Sequence, residues 1–458
     1  MVAFESMPAK STSTKGRTAP PAAAKTTAQK AVEDLSVITC DMEGRIETFG
    51  PGAEHLFGYG AEEIVGKKRV SLFSPGEVVL GHVPAWLKAA REDGEFETDT
   101  VFVRKDGTRF AAHIRITPTF GHDAGGNKVQ VGYCGQTRAI AASPEAVQPR
   151  TSLATRIFKG VVIGRLPFLT ASLIPALLAA AWVASRADAP SPFPWLHFAL
   201  VMAGTALLHL AANTFNDYFD WTSGTDQENN DYFLPFSGGS RSIELGLITP
   251  RRLFVVASVA LLGAAACGTA LALLGRPLVV AFGAVGALSG FFYTAPPVRL
   301  AARRGLGELF VGLNFGPLMT AGAAYALRGS LVPEDFLIGI PMGLLTTAIL
   351  WVNEFPDTPA DVRAGKVHLV AVLGVARARW GYIALLAGAY ATAAALAIAG
   401  LAPTGSLLVL LALPVAAWTC SMVVRRYADR SLAKASAGTI GLHLLSGLLT
   451  AAGLLWLS

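Results

Sequence analysis

From Leu166 onward the chain is a succession of apolar runs separated by short polar breaks, whereas up to about Gln148 polar and apolar residues are interleaved as in a soluble domain. Nine runs stand out, at about 165–185, 195–215, 254–274, 278–292, 306–327, 336–352, 381–400, 406–424 and 439–457. All but the fourth, the shortest, approach the ~20 residues that a helix needs to cross the hydrocarbon core of a bilayer. The pattern predicts a multi-pass all-α membrane bundle of nine transmembrane helices.

The soluble part reads differently. DLSVITCDMEGRIETFGP sets β-type residues on either side of Met42-Glu43-Gly44, and TDTVFVRKDGTRFAAHIRITPTF repeats the device around Lys105-Asp106-Gly107. AEHLFGYGAEEIVGK predicts short helices broken by glycines, and VQVGYCGQTRAI a closing strand. An α/β domain is therefore expected over residues 32–140. Residues 1–31, with Glu5 the only acid to about Lys30, bury too little apolar surface to order and are expected to be a disordered basic tail. The tail lacks the apolar core of a signal peptide, so the N-terminus is expected to stay in the cytoplasm. Residues 141–158 read as a polar linker, and the membrane domain as 159–458.

Composition excludes several classes. At 52% hydrophobic and 15% charged residues, the chain is too apolar for an ordinary soluble protein. Cys40, Cys134, Cys267 and Cys420 are far apart and show no CxxC, which argues against a disulfide framework or a zinc site. The net charge of +6 raises nucleic acid as a partner, but its distribution points elsewhere. With nine spans, one side receives Arg150, Arg156, Lys159, Arg165, Arg241, Arg251, Arg252, Arg299, Arg303, Arg304, Arg363, Lys366, Arg377, Arg379, Arg425, Arg426, Arg430 and Lys434. The other receives only Arg186, Arg276 and Arg328. Basic loops mark the cytoplasmic side. The soluble domain and charged loops are thus expected in the cytoplasm, the C-terminus on the opposite side, the lipid bilayer as partner and no nucleic acid.

Candidate chemistry lies at the ends of two spans. In HLAANTFNDYFDWTSGTDQENNDYFLPFSGGSR, Asn213, Asp217 and Asp220 are spaced i, i+4 and i+7 and share one face of a helix, with Asn216 beside them. Asp226, Glu228 and Asp231 follow and are equally well explained as solvated loop residues. The pattern returns in WVNEFPDTPADVRAGK as Asn353, Asp357 and Asp361. Two acidic clusters four spans apart suggest an internal repeat whose halves face each other. Ionisable groups at membrane depth are costly unless they line a polar cavity. For Asp361 there is a competing reading: Pro356 and Pro359 interrupt the helix, and Thr358 caps a new one with Asp361 at its third position. Such carboxylates suit Mg²⁺, which takes few carboxylates together with substrate phosphates. Arg241, Arg299 and Lys366 fall on the same side, where cations can pair with phosphate oxygens. The positive-inside rule accounts for their number but not for each position.

DMEGRIETFGPGAEHLFGYGAEEIVGK, VRKDGTRFAAHIRITP and GYCGQTRAI together resemble a PAS domain over nearly all of residues 32–140. The resemblance implies a sensor that binds a small ligand or cofactor, or that mediates a homodimer. The PAS ligand is unknown: the cysteine motif of flavin-binding photoreceptors is not evident, and His82 as a haem ligand is a weaker reading than a ligand-free interaction module.

NDYFD, PFSGGSR, YTAPPVRLAARRGLGELFVGLNFGPLM and NEFPDTPADVRAGKVHLVAVLG, in that order, resemble the UbiA superfamily of membrane prenyltransferases from about Lys159 to the C-terminus. Within it they most resemble the 1,4-dihydroxy-2-naphthoate polyprenyltransferases of menaquinone synthesis. One position departs from the NDxxDxxxD of ubiquinone-branch relatives: it is Gly224, with Asp226 two residues on as a substitute. The resemblance implies Mg²⁺-dependent transfer of an isoprenyl group from a polyprenyl diphosphate to an aromatic acceptor. It assigns metal binding and catalysis to Asp217, Asp220, Asp357 and Asp361, and substrate binding to Asn213, Asn216, Arg241, Arg299 and Lys366. Tyr218, Phe219, Tyr293 and Phe315 would shield a carbocation with their π faces, or else anchor the chain at the interface. Other acceptors (4-hydroxybenzoate, a lipid or a tetrapyrrole) and a non-catalytic PAS-linked membrane sensor are the alternatives. A transporter would hold its polar groups nearer mid-membrane.

Overall fold

The structure is a computed structural model, and it describes residues 35–456 except 75–81, 124, 148–152, 229–238, 244–246 and 430. The expected tail, Arg150, Asp231, Phe236 to Gly238 and Arg430 lie outside the described residues, as do the side chains of His82, Arg156 and Glu228.

The N-terminal domain is a five-stranded antiparallel sheet of order β2-β1-β5-β4-β3, with β1 Ser36–Asp41, β2 Ile46–Phe49, β3 Phe96–Val103, β4 Arg109–His122 and β5 Lys128–Ala139. Gly44 (φ 80°) and Gly107 (φ 83°) supply the left-handed backbone of the two expected hairpin turns. Asp41 and Asp106 brace those turns by accepting backbone N–H groups of Arg45 and Thr108, both at 2.8 Å. Between the hairpins lie helices α1 (Pro51–Phe57), α2 (Ala61–Ile64) and α3 (His82–Asp93). Phe49, Phe57, Phe73, Phe102 and Phe110 fill the space between sheet and helices, each burial being worth about 1.5–3 kcal/mol.

The membrane domain comprises α4 (Thr170–Ala184), α5 (Trp195–Thr222), α6 (Pro250–Leu273), α7 (Val279–Phe291), α8 (Leu306–Leu313), α9 (Met319–Arg328), α10 (Ile340–Arg363), α11 (Leu369–Leu373), α12 (Val375–Ile398), α13 (Leu413–Arg426) and α14 (Leu432–Trp456). A π-turn, Asn314–Leu318, joins α8 and α9 into one rod. Among the described residues 8 segments, not nine, are long and apolar enough to cross a membrane. The fourth expected span is α7, with 13 residues, about 20 Å of helix against a hydrocarbon core of ~30 Å. Pro277 before it and Pro296-Pro297 after it limit its length. Even so it joins the two ends of the bundle: Arg276 at its start donates to the Ala326 carbonyl (3.0 Å), and Tyr293 beyond its end lines the cavity that holds Asp220.

Two glycine pairs bring the rod and α10 together. A Cβ on Gly343 would fall 2.3 Å from the Gly312 carbonyl, and one on Gly316 2.6 Å from the Gly343 Cα. Small residues at this spacing let backbones touch where lipid supplies no hydrophobic drive. At the end of the bundle away from Asp220, the fully buried Asp335 accepts from Trp182 (2.9 Å), Arg328 (2.6 Å) and the Val332 backbone (3.0 Å).

Candidate functional site

α5 and α10 run past the ends of their apolar stretches, so both acidic motifs are helical. Asn213, Asn216 and Asp220 from α5 and Asn353, Glu354, Asp357 and Asp361 from α10 line one cavity of about 570 Å³. The two clusters, four spans apart in the chain, thus face a common space. α10 is continuous through Pro356 and Pro359, and the Thr358 hydroxyl donates to the Glu354 carbonyl one turn back (2.7 Å). The capping arrangement for Asp361 is therefore not formed. Asp357 and Asp361, one turn apart, instead share the cavity face. Gly224 has its own explanation: it follows the Ser223 cap of α5 with φ 83°, the left-handed position that ends a helix and strains any residue with a Cβ.

Lys366 links the halves. Its ammonium is 3.6 Å from Asp220 Oδ2 and 3.7 Å from Asp361 Oδ2. Burial opposes its charge, but Asp220 and Asp361, helped by Tyr293 and Asp357, outweigh burial and hold its pKa well above the usual lysine range. Two residues on, burial and the Lys366 charge push His368 down to about 3, so its imidazole is neutral. The segment carrying both is held from the α8 side: Arg304 N donates to the Val367 carbonyl (2.9 Å), and Leu369 N to Glu308 Oε1 (2.6 Å).

The other expected site residues stand outside the lining. Asp217 is buried, and its Oδ1 accepts from Ser240 N (3.2 Å). Gly239 allows this approach, since a Cβ there would meet Asp217 Oδ1 at 2.9 Å and the backbone is left-handed (φ 73°). Arg241 is 2% exposed; it donates to the Asp226 carbonyl and lies 4.0 Å from Asp226 Oδ1, so it ties the loop after Gly239 to the end of α5. Asp226, the substitute ligand of the sequence reading, is engaged by that arginine. Arg299 is half-buried and does not line the cavity. Tyr293 and Phe315 do line it, whereas Tyr218 and Phe219 pack on Phe254 (5.1 Å) and Phe291 (5.4 Å).

Sequence reasoning overlooked several lining residues. Arg165, Ser172 and His209 face the cavity, and Ser172 Oγ is 2.7 Å from His209 Nδ1. His209 lies one turn before Asn213, so the helical spacing that picked out Asn213 also marked it. Glu354, also in the lining, follows Asn353 directly. Below the polar end the cavity becomes apolar and reaches Leu200, Leu271 and Val279. From Asp220 to Leu200 it follows α5 for twenty residues, or about 30 Å.

The donor set suits a hard cation. Asn216 Oδ1, Asp217 Oδ2 and Asn353 Oδ1 are buried oxygens without a hydrogen-bond partner among the described residues. All are oxygen ligands, as Mg²⁺ requires. Asp217, Asp220, Asp357 and Asp361 do not close into a tight cluster, which leaves space for the phosphates that usually complete a Mg²⁺ shell.

Comparison with known proteins agrees with both resemblances. Residues 172–447 match the UbiA prenyltransferase family and residues 34–134 match the PAS domain. The 1,4-dihydroxy-2-naphthoate octaprenyltransferase of Mycobacterium tuberculosis is 33% identical over 226 residues, covering 48% of this chain and 71% of that protein. The Escherichia coli protein of the same name is 29% identical over 265 residues, 56% of this chain and 82% of that one. A UbiA homologue from Archaeoglobus fulgidus, solved bound to DMAPP and Mg²⁺, aligns with a TM-score of 0.43 at 14% identity over 64% of this chain and 99% of that chain.

Proposed function

The chain belongs to the UbiA prenyltransferase family and is an integral-membrane prenyltransferase with a PAS domain, and from that premise we propose that it moves an isoprenyl group from a polyprenyl diphosphate to 1,4-dihydroxy-2-naphthoate in menaquinone biosynthesis. The observation that carries this reading is the shared cavity, ringed at one end by Asp220, Asp357, Asp361 and Lys366 and mostly apolar along the rest of its ~30 Å. A charged head and a long hydrocarbon tail match those two ends. The naphthoate acceptor follows the names of the mycobacterial and Escherichia coli relatives.

Mg²⁺, when bound, neutralises diphosphate charge and makes it a better leaving group. Asp220, Asp357 and Asp361 supply the carboxylate oxygens that would hold it, with Asp217 behind them and Asn213 and Asn216 alongside. Lys366, kept as an ammonium by its carboxylate neighbours, pairs with the departing diphosphate oxygens. As the allylic C–O bond breaks, its electron pair leaves with the diphosphate, and the π faces of Tyr293 and Phe315 stabilise the carbocation. The apolar walls exclude the water that would otherwise capture it. The electron-rich ring then attacks the carbocation to form the new C–C bond, and that ring carbon sheds its proton, or its carboxylate as CO₂, to restore aromaticity. Arg241 supports the site through its loop, and Arg299 acts at its edge if at all.

The Lys/Arg asymmetry supports a cytoplasmic PAS domain and cavity mouth, with the C-terminus opposite. The PAS domain is assigned the regulation of transfer, through a ligand or a homodimer. Membranes containing the protein, given Mg²⁺, a long-chain prenyl diphosphate and a panel of aromatic acids, are expected to yield a prenylated naphthoate that disappears with chelator. The absence of a Mg²⁺-dependent product with every acceptor would refute the reading.

A further inference from the structure

At the cavity wall, where Glu354 lines the space, a second group of ligand-type side chains converges. Glu308 lies in the first turn of α8, Glu354 on α10 and His368 at the start of α11; they are 4%, 8% and 1% exposed. One ligand atom from each lies within 4.8 Å of the other two, and among the described residues no other three His, Cys, Asp or Glu side chains do so. The closeness is built into the backbone, because Glu308 is one turn before Gly312, the residue whose carbonyl excludes any side chain at Gly343. Thr347, one turn after Gly343, reaches the Glu308 carbonyl (3.4 Å).

Each member also has an unused atom. Glu308 Oε2, Glu354 Oε2 and His368 Nε2 are buried without a hydrogen-bond partner among the described residues. Two neighbouring carboxyl groups out of water either hold protons or take a compensating positive charge, and a bound cation displaces those protons. The nearby ammonium of Lys366 is already shared between Asp220 and Asp361. We propose that Glu308, Glu354 and His368 form a binding site for a divalent transition-metal ion of the Zn²⁺ or Mn²⁺ class, next to the diphosphate site but using none of Asp220, Asp357 and Asp361 as ligands.

Two carboxylate oxygens and one imidazole nitrogen make a mixed donor set, which Zn²⁺ or Mn²⁺ accepts and Mg²⁺ takes poorly. Bonds of ~2.1 Å put tetrahedral ligand atoms about 3.4 Å apart. Glu354 Oε2 and His368 Nδ1 are already 3.5 Å apart, and small side-chain rotations bring in Glu308. His368 Nδ1 also accepts the Ala371 N–H that caps α11 (3.2 Å), while Nε2 faces Asp361 Oδ2 at 3.5 Å. A ring flip presents Nε2 to the ion, or a direct bond takes the Nδ1 lone pair in place of the Ala371 N–H; either leaves the fourth position to water. The ion would clamp α8, α10 and the segment that carries Lys366. The proposal does not rest on the prenyl-transfer reading, because the ion is counted whether or not transfer occurs.

The test uses full-length protein in detergent, stripped with chelator and re-equilibrated with Zn²⁺ or Mn²⁺ under a large excess of Mg²⁺. One retained equivalent is expected by elemental analysis. Glu308→Gln and His368→Asn should each weaken retention by more than the ~10–100-fold typical of losing an outer-shell partner, and Asp357→Asn should not. His368→Asn keeps a capping side chain, so it reports even if Glu308→Gln folds poorly. With Co²⁺ as probe, the visible spectrum should change in His368→Asn. No retained ion under excess Mg²⁺, or an ion lost in Asp357→Asn but kept in both Glu308→Gln and His368→Asn, would overturn the proposal.

Discussion

Lys366→Met removes the one cation that, among the described residues, is seen to bridge the two acidic helices. At an effective dielectric of about 20, attraction across 3.6 Å is ~4.6 kcal/mol and across 3.7 Å ~4.5 kcal/mol. Desolvating the ammonium costs several kcal/mol of this sum, and removing one partner of a buried pair typically destabilises by about 3–5 kcal/mol. The substitution leaves Asp220 and Asp361 facing each other without that charge, so thermal unfolding in detergent should come earlier. Catalysis should suffer separately. The loss of one preorganised contact to a developing charge costs about 10²–10³ in kcat. Lys366→Arg keeps the charge and should recover part of the rate. The assay is Mg²⁺-dependent product formation by membranes, normalised to folded protein. Wild-type kcat in Lys366→Met would refute the placement of Lys366 on the leaving diphosphate.

Three further outcomes test other parts of the account. Gly343→Ala puts a Cβ 2.3 Å from the Gly312 carbonyl and should cost at least ~1–3 kcal/mol, read as a lower melting temperature. Arg328→Met breaks the 2.6 Å contact to the fully buried Asp335 at the end of the bundle away from the site; a loss of ~3–5 kcal/mol with unchanged KM for the diphosphate is expected, and a raised KM would contradict the separation of the two ends. Deleting residues 1–150 should preserve basal transfer and abolish its response to ligand or redox state; an unchanged response would remove the regulatory role of the PAS domain.

Much of the fold was legible because each signal was local. Hairpin turns declared themselves through Gly44 and Gly107, and the spans through apolar length. The fourth span, read as the shortest at 278–292, keeps nearly those bounds as α7, but its 13 residues fall below the length that makes the other segments candidate crossings. The acidic motifs were legible through helical spacing, which also shows why Asp357 and Asp361 act as a pair. What spacing cannot give is where a side chain turns. Asp217 shares a motif with Asp220, yet it turns toward the Ser240 N–H, and Arg241 turns to Asp226. Pro356 and Pro359 suggested a break, but α10 continues, with the Thr358 hydroxyl on the Glu354 carbonyl and neighbouring helices supporting it. Glu308 was invisible because its partners come from segments about fifty and sixty residues away, brought close by the glycine crossing.

The central claim is that carboxylates from two separate helices hold one Mg²⁺-bound diphosphate. Binding of a long-chain prenyl diphosphate to the purified protein, with and without Mg²⁺, tests it most directly in Asp220→Asn and Asp357→Asn. Each substitution alone should abolish the Mg²⁺-dependent part of binding while the melting temperature shows a folded protein. Mg²⁺-dependent affinity that survives in both variants would contradict the claim.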